Sequence, residues 1–212
     1  MSGRLFATNG VSVVGPTPLQ RQLAHGPAPT RATPLDALDL ARSWFNQGRR
    51  LDIQALAREL GVSRVTLHRW VGTREQLIVE VLWTSTERAL TRLWADVERS
   101  SLRTSRTAEV LSLWAADVIA HPGIRQMQAD EAELIARLLT QDASEFQRRL
   151  VDKVAEFLAD DFAAGRLTID LTPDELAYAT VRLVESFVHT PAITGGAPDP
   201  DRNRRVLRAL LR

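Results

Sequence analysis

Between Leu51 and Leu77 the chain gathers side chains suited to holding a nucleic acid. Arg64, Thr66, His68 and Arg69 fall within one short segment, with Ser63 just before them and Trp70, Thr73 and Arg74 just after. An arginine guanidinium can pair bidentately with guanine, and a threonine can hydrogen-bond a base or touch a thymine methyl. Serine and threonine at helix starts put hydroxyls and free N–H groups where a phosphate sits well. Local charge agrees. Residues 49–74 carry six arginines (49, 50, 58, 64, 69 and 74) against Asp52 and Glu59, on a chain whose net charge is only +1. A basic excess concentrated on one segment is what a DNA footprint requires.

Those side chains need rigid elements behind them. Ile53, Leu56, Ala57 and Leu60 form an apolar stripe at helical spacing. Gly61 can end that helix in the left-handed region, Val62 can turn inward and Ser63 can cap the helix that follows. Ala57 is small enough for two helices to cross closely over it, and Leu67 can face the core. This is the physical recipe of a helix-turn-helix. It leaves Ser63, Arg64, Thr66, His68, Arg69, Trp70, Thr73 and Arg74 as the candidate DNA-binding set. A helical hairpin with solvated arginines would explain the charge alone, but not the conjunction of Ala57, Gly61, Val62, Ser63 and Leu67.

Punctuation organises the rest. Residues 1–33 are rich in Pro and Gly, carry Arg4, Arg21 and Arg31 with no acid, and read as an irregular extension, with a short strand conceivable at Val11–Val14. Beyond them, long stretches free of Gly and Pro are rich in Ala, Leu, Arg, Glu and Gln, as helices favour. Thr73-x-x-Gln76 and Thr172-Pro173-x-Glu175 read as capping boxes, and Asp130-x-x-Glu133 and Asp142-x-x-Glu145 as acidic versions. Stops fall at Gly48, Gly61, Gly72, His121-Pro122-Gly123, Gly165 and Thr190-Pro191. The spacing predicts helices near 34–47, 52–60, 63–70, 73–98, 105–120, 123–128, 130–140, 143–164, 173–190 and 200–211. The expected fold is all-α: an extension (1–33), a helix-turn-helix domain (34–80), and a larger helical domain (81–212) joined through the long fourth helix.

The segment resembles the DNA-binding domain of the tetracycline-repressor (TetR) family. The resemblance covers about residues 34–83. Its first helix ends in Trp44 and Gly48, a small-residue helix and Gly61-Val62-Ser63 follow, and Thr73, Arg74 and Leu77 open a long fourth helix. Three departures stand out: His68 where tyrosine is usual, Trp70 before the terminal aromatic position, and Val71 at that position. The Arg69–Leu77 run also resembles regulators of quorum-signal lactone degradation. The family resemblance implies a homodimer, formed here through residues 143–190, that binds a double-stranded DNA operator and releases it when a small molecule enters the fourth to eighth helices. Trp83, Leu90, Trp94 and Val97 repeat at steps of 7, 4 and 3, and Trp114, Val118 and Met127 follow. Aromatic and Met-lined interiors suit apolar ligands, although each of these residues could equally be plain core. The ligand set is therefore Trp83, Leu90, Trp94, Trp114, Val118, Met127 and Tyr178, with Tyr178 or His121 as the polar anchor.

Other chemistry finds no support. Without cysteine there are no disulfides, thiolate metal sites or thiol nucleophiles. The four histidines are scattered without metal-ligand spacing, and no phosphate loop, dinucleotide fingerprint or Gly-x-Ser-x-Gly occurs. No catalytic residue, metal or cofactor is expected. Asp160-Asp161 reads as a solvated pair. With neither a signal peptide nor a membrane span, the expected location is the cytoplasm. An all-helical enzyme or ligand carrier is the alternative, but it lacks a paired acid–base set. The 26 arginines against one lysine, Lys153, read as the mark of a GC-rich genome.

Overall fold

The computed structural model describes residues 32–100, 103–140 and 145–212. Almost all of the expected N-terminal extension, including Val11–Val14, lies outside the described residues, as do residues 143 and 144 of the expected dimer segment. Among the described residues there are eleven helices and no strand.

The first three are short. Helix α1 (Pro34–Asn46) starts at a capping box not anticipated from the sequence: Thr33 Oγ1 accepts from Asp36 N, and Asp36 Oδ2 accepts from Thr33 N. Helix α2 (Ile53–Glu59) is capped by Asp52, which accepts from Ala55 N at 2.8 Å. Gly61 then adopts φ +66°, where any side chain would be strained, and turns the chain into α3 (Arg64–Val71). The turn works because Leu56 and Ala57 from α2 and Leu67 from α3 are all buried beneath it.

Helix α4 (Arg74–Glu98) is the long connector, opened by the expected Thr73–Gln76 box. Around it pack α5 (Arg106–Ala120), α6 (Pro122–Asp130), α7 (Ala132–Thr140), α8 (Glu145–Ala163), α9 (Pro173–Val188), α10 (Thr190–Thr194) and α11 (Pro200–Leu210). The Thr172–Glu175 box forms as expected.

Three local expectations are corrected. Pro191 does more than stop α9: it sits in the first turn of α10, where its missing N–H costs nothing. Asp130 does not cap α7; it closes α6 and accepts from Gln126 Nε2. Asp161 is not solvated but fully buried. Its carboxylate accepts from Ser105 Oγ, Arg106 N, Thr107 N and Arg166 Nε at 2.6–3.1 Å, so α8 caps the start of α5. Burial pushes its pKa up, but the hydrogen bonds from Ser105, Arg166 and Thr107 outweigh that and hold it below the usual carboxylate range.

The buried side chains form two cores. One lies among α4, α5, α8, α9 and α11, around Leu90, Leu111, Leu158, Leu176 and Leu207. The other gathers Trp44, Phe45, Leu56, Leu67, Leu77 and Val81, and is completed from later in the chain by Met127 of α6 and Leu134 of α7.

Candidate nucleic-acid interface and effector cavity

Helix α3 is anchored by one side and free on the other. Leu67 is fully buried, whereas Arg64, Val65, His68 and Arg69 are exposed and line one shallow concavity. Neither Arg64 nor Arg69 has an acidic partner among the described residues. Ser63 caps the helix, accepting from Thr66 N at 3.0 Å, and its hydroxyl lies 2.9 Å from that of half-buried Thr66. Val65 was absent from the sequence-derived set. It is 78% exposed, an unusual position for an apolar side chain on a short helix, and its methyls could meet a thymine methyl. The signal was available: with Leu67 facing inward, Val65 had to face out.

Two candidates are turned elsewhere. Arg74 donates through Nε to the Leu51 carbonyl (2.6 Å), and its Nη1 and Nη2 pair with the Glu131 carboxylate at 2.7 and 2.8 Å. It therefore ties α4 to the α6–α7 junction and is not free for DNA. Trp70 is half-buried against the core around Leu67, so its indole packs instead of projecting. The basic excess shrinks accordingly. Arg50 also approaches Glu131 at 3.6 Å, and Arg49 lies over the Trp44 ring and 3.6 Å from Glu59. Arg64 and Arg69 are left unpaired among the described residues, and Arg58 forms no salt bridge there, its charge reaching only Asp52. Thr73 is exposed at the start of α4 beside this surface.

A second site lies inside. A cavity of about 80 Å³ is walled by Trp114, Val118 and Met127 of the sequence-derived ligand set, and by Phe146, Leu150 and Ile135. The other four ligand candidates lie elsewhere. Leu90 is fully buried in the larger core; Trp94 stacks on Phe157 at 4.3 Å; Trp83 meets Phe146 edge-on at 6.4 Å; Tyr178 is 62% exposed. Helical spacing placed Trp83 and Trp94 on one side of α4 but could not say which neighbour would cover each.

The polar groups of this cavity are Thr86, Glu185 and His189, none of which was singled out from the sequence. Glu185 and His189 stand one turn apart at the end of α9. Gln147 Nε2 and Arg182 Nη1 donate to the Glu185 carboxyl, yet burial prevails and raises its pKa. Burial also lowers the pKa of His189, whose Nδ1 lies 3.4 Å from Gln128 Nε2. Since an amide NH₂ only donates, Nδ1 accepts and the ring proton sits on Nε2. His121, the other proposed anchor, joins α5 to α6: its Nδ1 accepts from Gly123 N, its Nε2 lies 3.2 Å from Asn46 Oδ1, and its ring stacks on Phe45.

Comparison with known proteins agrees with this architecture. Residues 104–212 match the family model described as the tetracyclin repressor-like C-terminal domain. The structure of the R. erythropolis transcriptional repressor QsdR, of the TetR family, superimposes with a TM-score of 0.72 at 27% identity, covering 84% of this chain and 93% of that one. A regulator from Rhodococcus sp. gives 0.57 at 19% identity (82% and 93% covered), and FadR from Bacillus subtilis in complex with stearoyl-CoA gives 0.57 at 13% (84% and 97% covered). No curated protein matches in sequence. The chain belongs to the tetracycline-repressor (TetR) family. It is a ligand-responsive, DNA-binding transcriptional regulator and not an enzyme. Proteins of this family bind DNA operators and small-molecule effectors, and are dimeric. No helix among the described residues is long and apolar enough to cross a membrane.

Proposed function

We propose that this regulator is a homodimeric repressor that reads an inverted-repeat operator in the cytoplasm and lets go when a small, largely apolar molecule enters the cavity at Trp114. The observation that carries the reading is the exposed face of α3, where Arg64 and Arg69 have no acidic partner among the described residues while Leu67 holds the helix in place. Arg64, Thr66 and Arg69 read base edges, Val65 adds an apolar contact, and Ser63, His68 and Thr73 hold phosphates. The reading head spans residues 34–80 and the effector and dimer part residues 81–212.

The dimer face is assigned to the described part of 143–190. Helices α8 and α9 pack along each other, and Leu183 and Phe187 stay half-exposed in the single chain while Tyr178 is exposed. Two-fold symmetry would set the recognition helices roughly 34–36 Å apart, one turn of DNA. The subgroup acting on quorum-signal lactone degradation is supported by the 27% identity to QsdR and makes a lactone a reasonable first ligand to try. Recovery of duplexes from a random pool, followed by gel shift with and without candidate ligands, tests the reading. An enriched inverted repeat is expected. Binding that never rises above that of random duplex would overturn it.

A further inference from the structure

The Trp114 cavity has a neighbour. A second space of about 90 Å³ adjoins it, and Leu82, Thr86, Trp114, Val118 and Ile124 line both. The rest of its lining is Ser85, Ala89, Asp117, His121 and, from the DNA-reading part of the chain, Phe45. The Ser85 hydroxyl is buried and has no hydrogen-bond partner among the described residues. A buried hydroxyl left unbonded carries a desolvation cost that a ligand oxygen would remove. Away from this shared lining, Glu185 and His189 offer polar groups in the first cavity. Adjoining spaces of about 80 and 90 Å³ suit a short chain.

We propose that the two spaces form a single effector slot, that the effector is an elongated uncharged molecule with an oxygen at each end, and that its outer oxygen hydrogen-bonds Ser85. This rests on the reading of the Trp114 cavity as the effector site and adds a second subsite to it. The outer end then lies against Phe45 and His121. Those two rings stack at 4.8 Å, and His121 also reaches Asn46 at the end of α1. The contact between α1 and α6 leaves no slack: a Cβ added at Gly123 would lie 2.3 Å from the Phe45 carbonyl oxygen. A ligand that displaces Phe45 therefore moves α1, and with it the helix-turn-helix, by direct contact.

The test uses three eight-carbon probes: 1,8-octanediol, 1-octanol and octanoate. Each is titrated against the intact protein by tryptophan fluorescence, with Trp114→Phe as the control for the signal. The diol should bind more tightly than 1-octanol, and Ser85→Ala should erase about three- to tenfold of that advantage, the loss of one neutral hydrogen bond. Ala89→Leu, which fills only the outer space, should remove the advantage while 1-octanol still binds. The diol should also release the selected duplex more effectively than 1-octanol. A diol that binds no better than 1-octanol, one indifferent to both substitutions, or octanoate as the tightest probe overturns the two-oxygen slot, with quenching by 1-octanol leaving the inner cavity standing. If no probe perturbs Trp114, the effector reading of the cavity itself fails, and the slot with it.

Discussion

Arg74 holds Glu131 with two guanidinium nitrogens at 2.7 and 2.8 Å, while its Nε donates to the Leu51 carbonyl. One side chain thus joins the turn before α2, the start of α4 and the α6–α7 junction. The Glu131 carboxylate is nearly buried and held below the usual carboxylate range, first by its hydrogen bond to Arg74. A depressed acid stabilises the fold above its unfolded pKa, and that contribution fades as pH falls through the folded value. Glu131→Gln should therefore lower thermal stability at pH 7, by about 1–3 kcal/mol, and differ little from wild type at strongly acidic pH. Equal losses at both pH values in thermal melts would show that the ion pair contributes nothing.

Arg64→Ala and Arg69→Ala should each cost about 1–3 kcal/mol in operator binding and relax the sequence preference at defined positions. Repeating the random-pool selection with each variant checks this. Uniform weakening on every duplex would reassign the arginine concerned to phosphate. Val65→Ser should erase a preference for thymine at one position.

Arg58 is exposed near the end of α2 and forms no salt bridge among the described residues, although its charge reaches Asp52. Its replacement by alanine should weaken operator and random DNA alike and reduce the salt slope of binding by about one. Arg74→Ala, by contrast, should leave that slope nearly unchanged, since its charge is already spent on Glu131. A full-unit drop for Arg74→Ala would place its guanidinium on DNA after all.

Much of this was legible in the sequence because local rules decide it. Gly61 marks the turn, Ser63 and Thr73 mark the helix starts, and periodicity gives the helices nearly to their ends. What escaped depends on long-range partners. Arg74 looks free until Glu131, fifty-seven residues away, is brought beside it. Asp161 looks solvated until the start of α5 folds onto it. Glu185 and His189 look like surface residues of α9 until α4 and α8 close the cavity over them. Short-range pattern carries no record of which distant helix will supply a partner.

Glu185 has the opposite shift from Glu131, because burial raises its pKa. An acid whose folded pKa is raised takes up protons on folding, so its contribution becomes less favourable as pH rises between the unfolded and folded values. Glu185→Gln should therefore gain in melting temperature relative to wild type as pH increases from about 4 to 7. A constant difference across that range would mean that the carboxyl titrates normally.

Leu183→Glu or Phe187→Glu should give a folded monomer that no longer binds the selected operator, read by sedimentation and gel shift. Both side chains are only half-buried in the single chain, so the fold itself should survive. A variant that stays dimeric would move the interface off this face of α9.

Met127 and Leu134 complete the core around Leu67 from far along the chain. The reading head is consequently not a portable module. A fragment ending near residue 80 would expose the places those two side chains fill, and grafting residues 34–80 onto a foreign sensor would leave the same gap. A working chimera must carry α6 and the start of α7 with the head, a unit discontinuous in sequence.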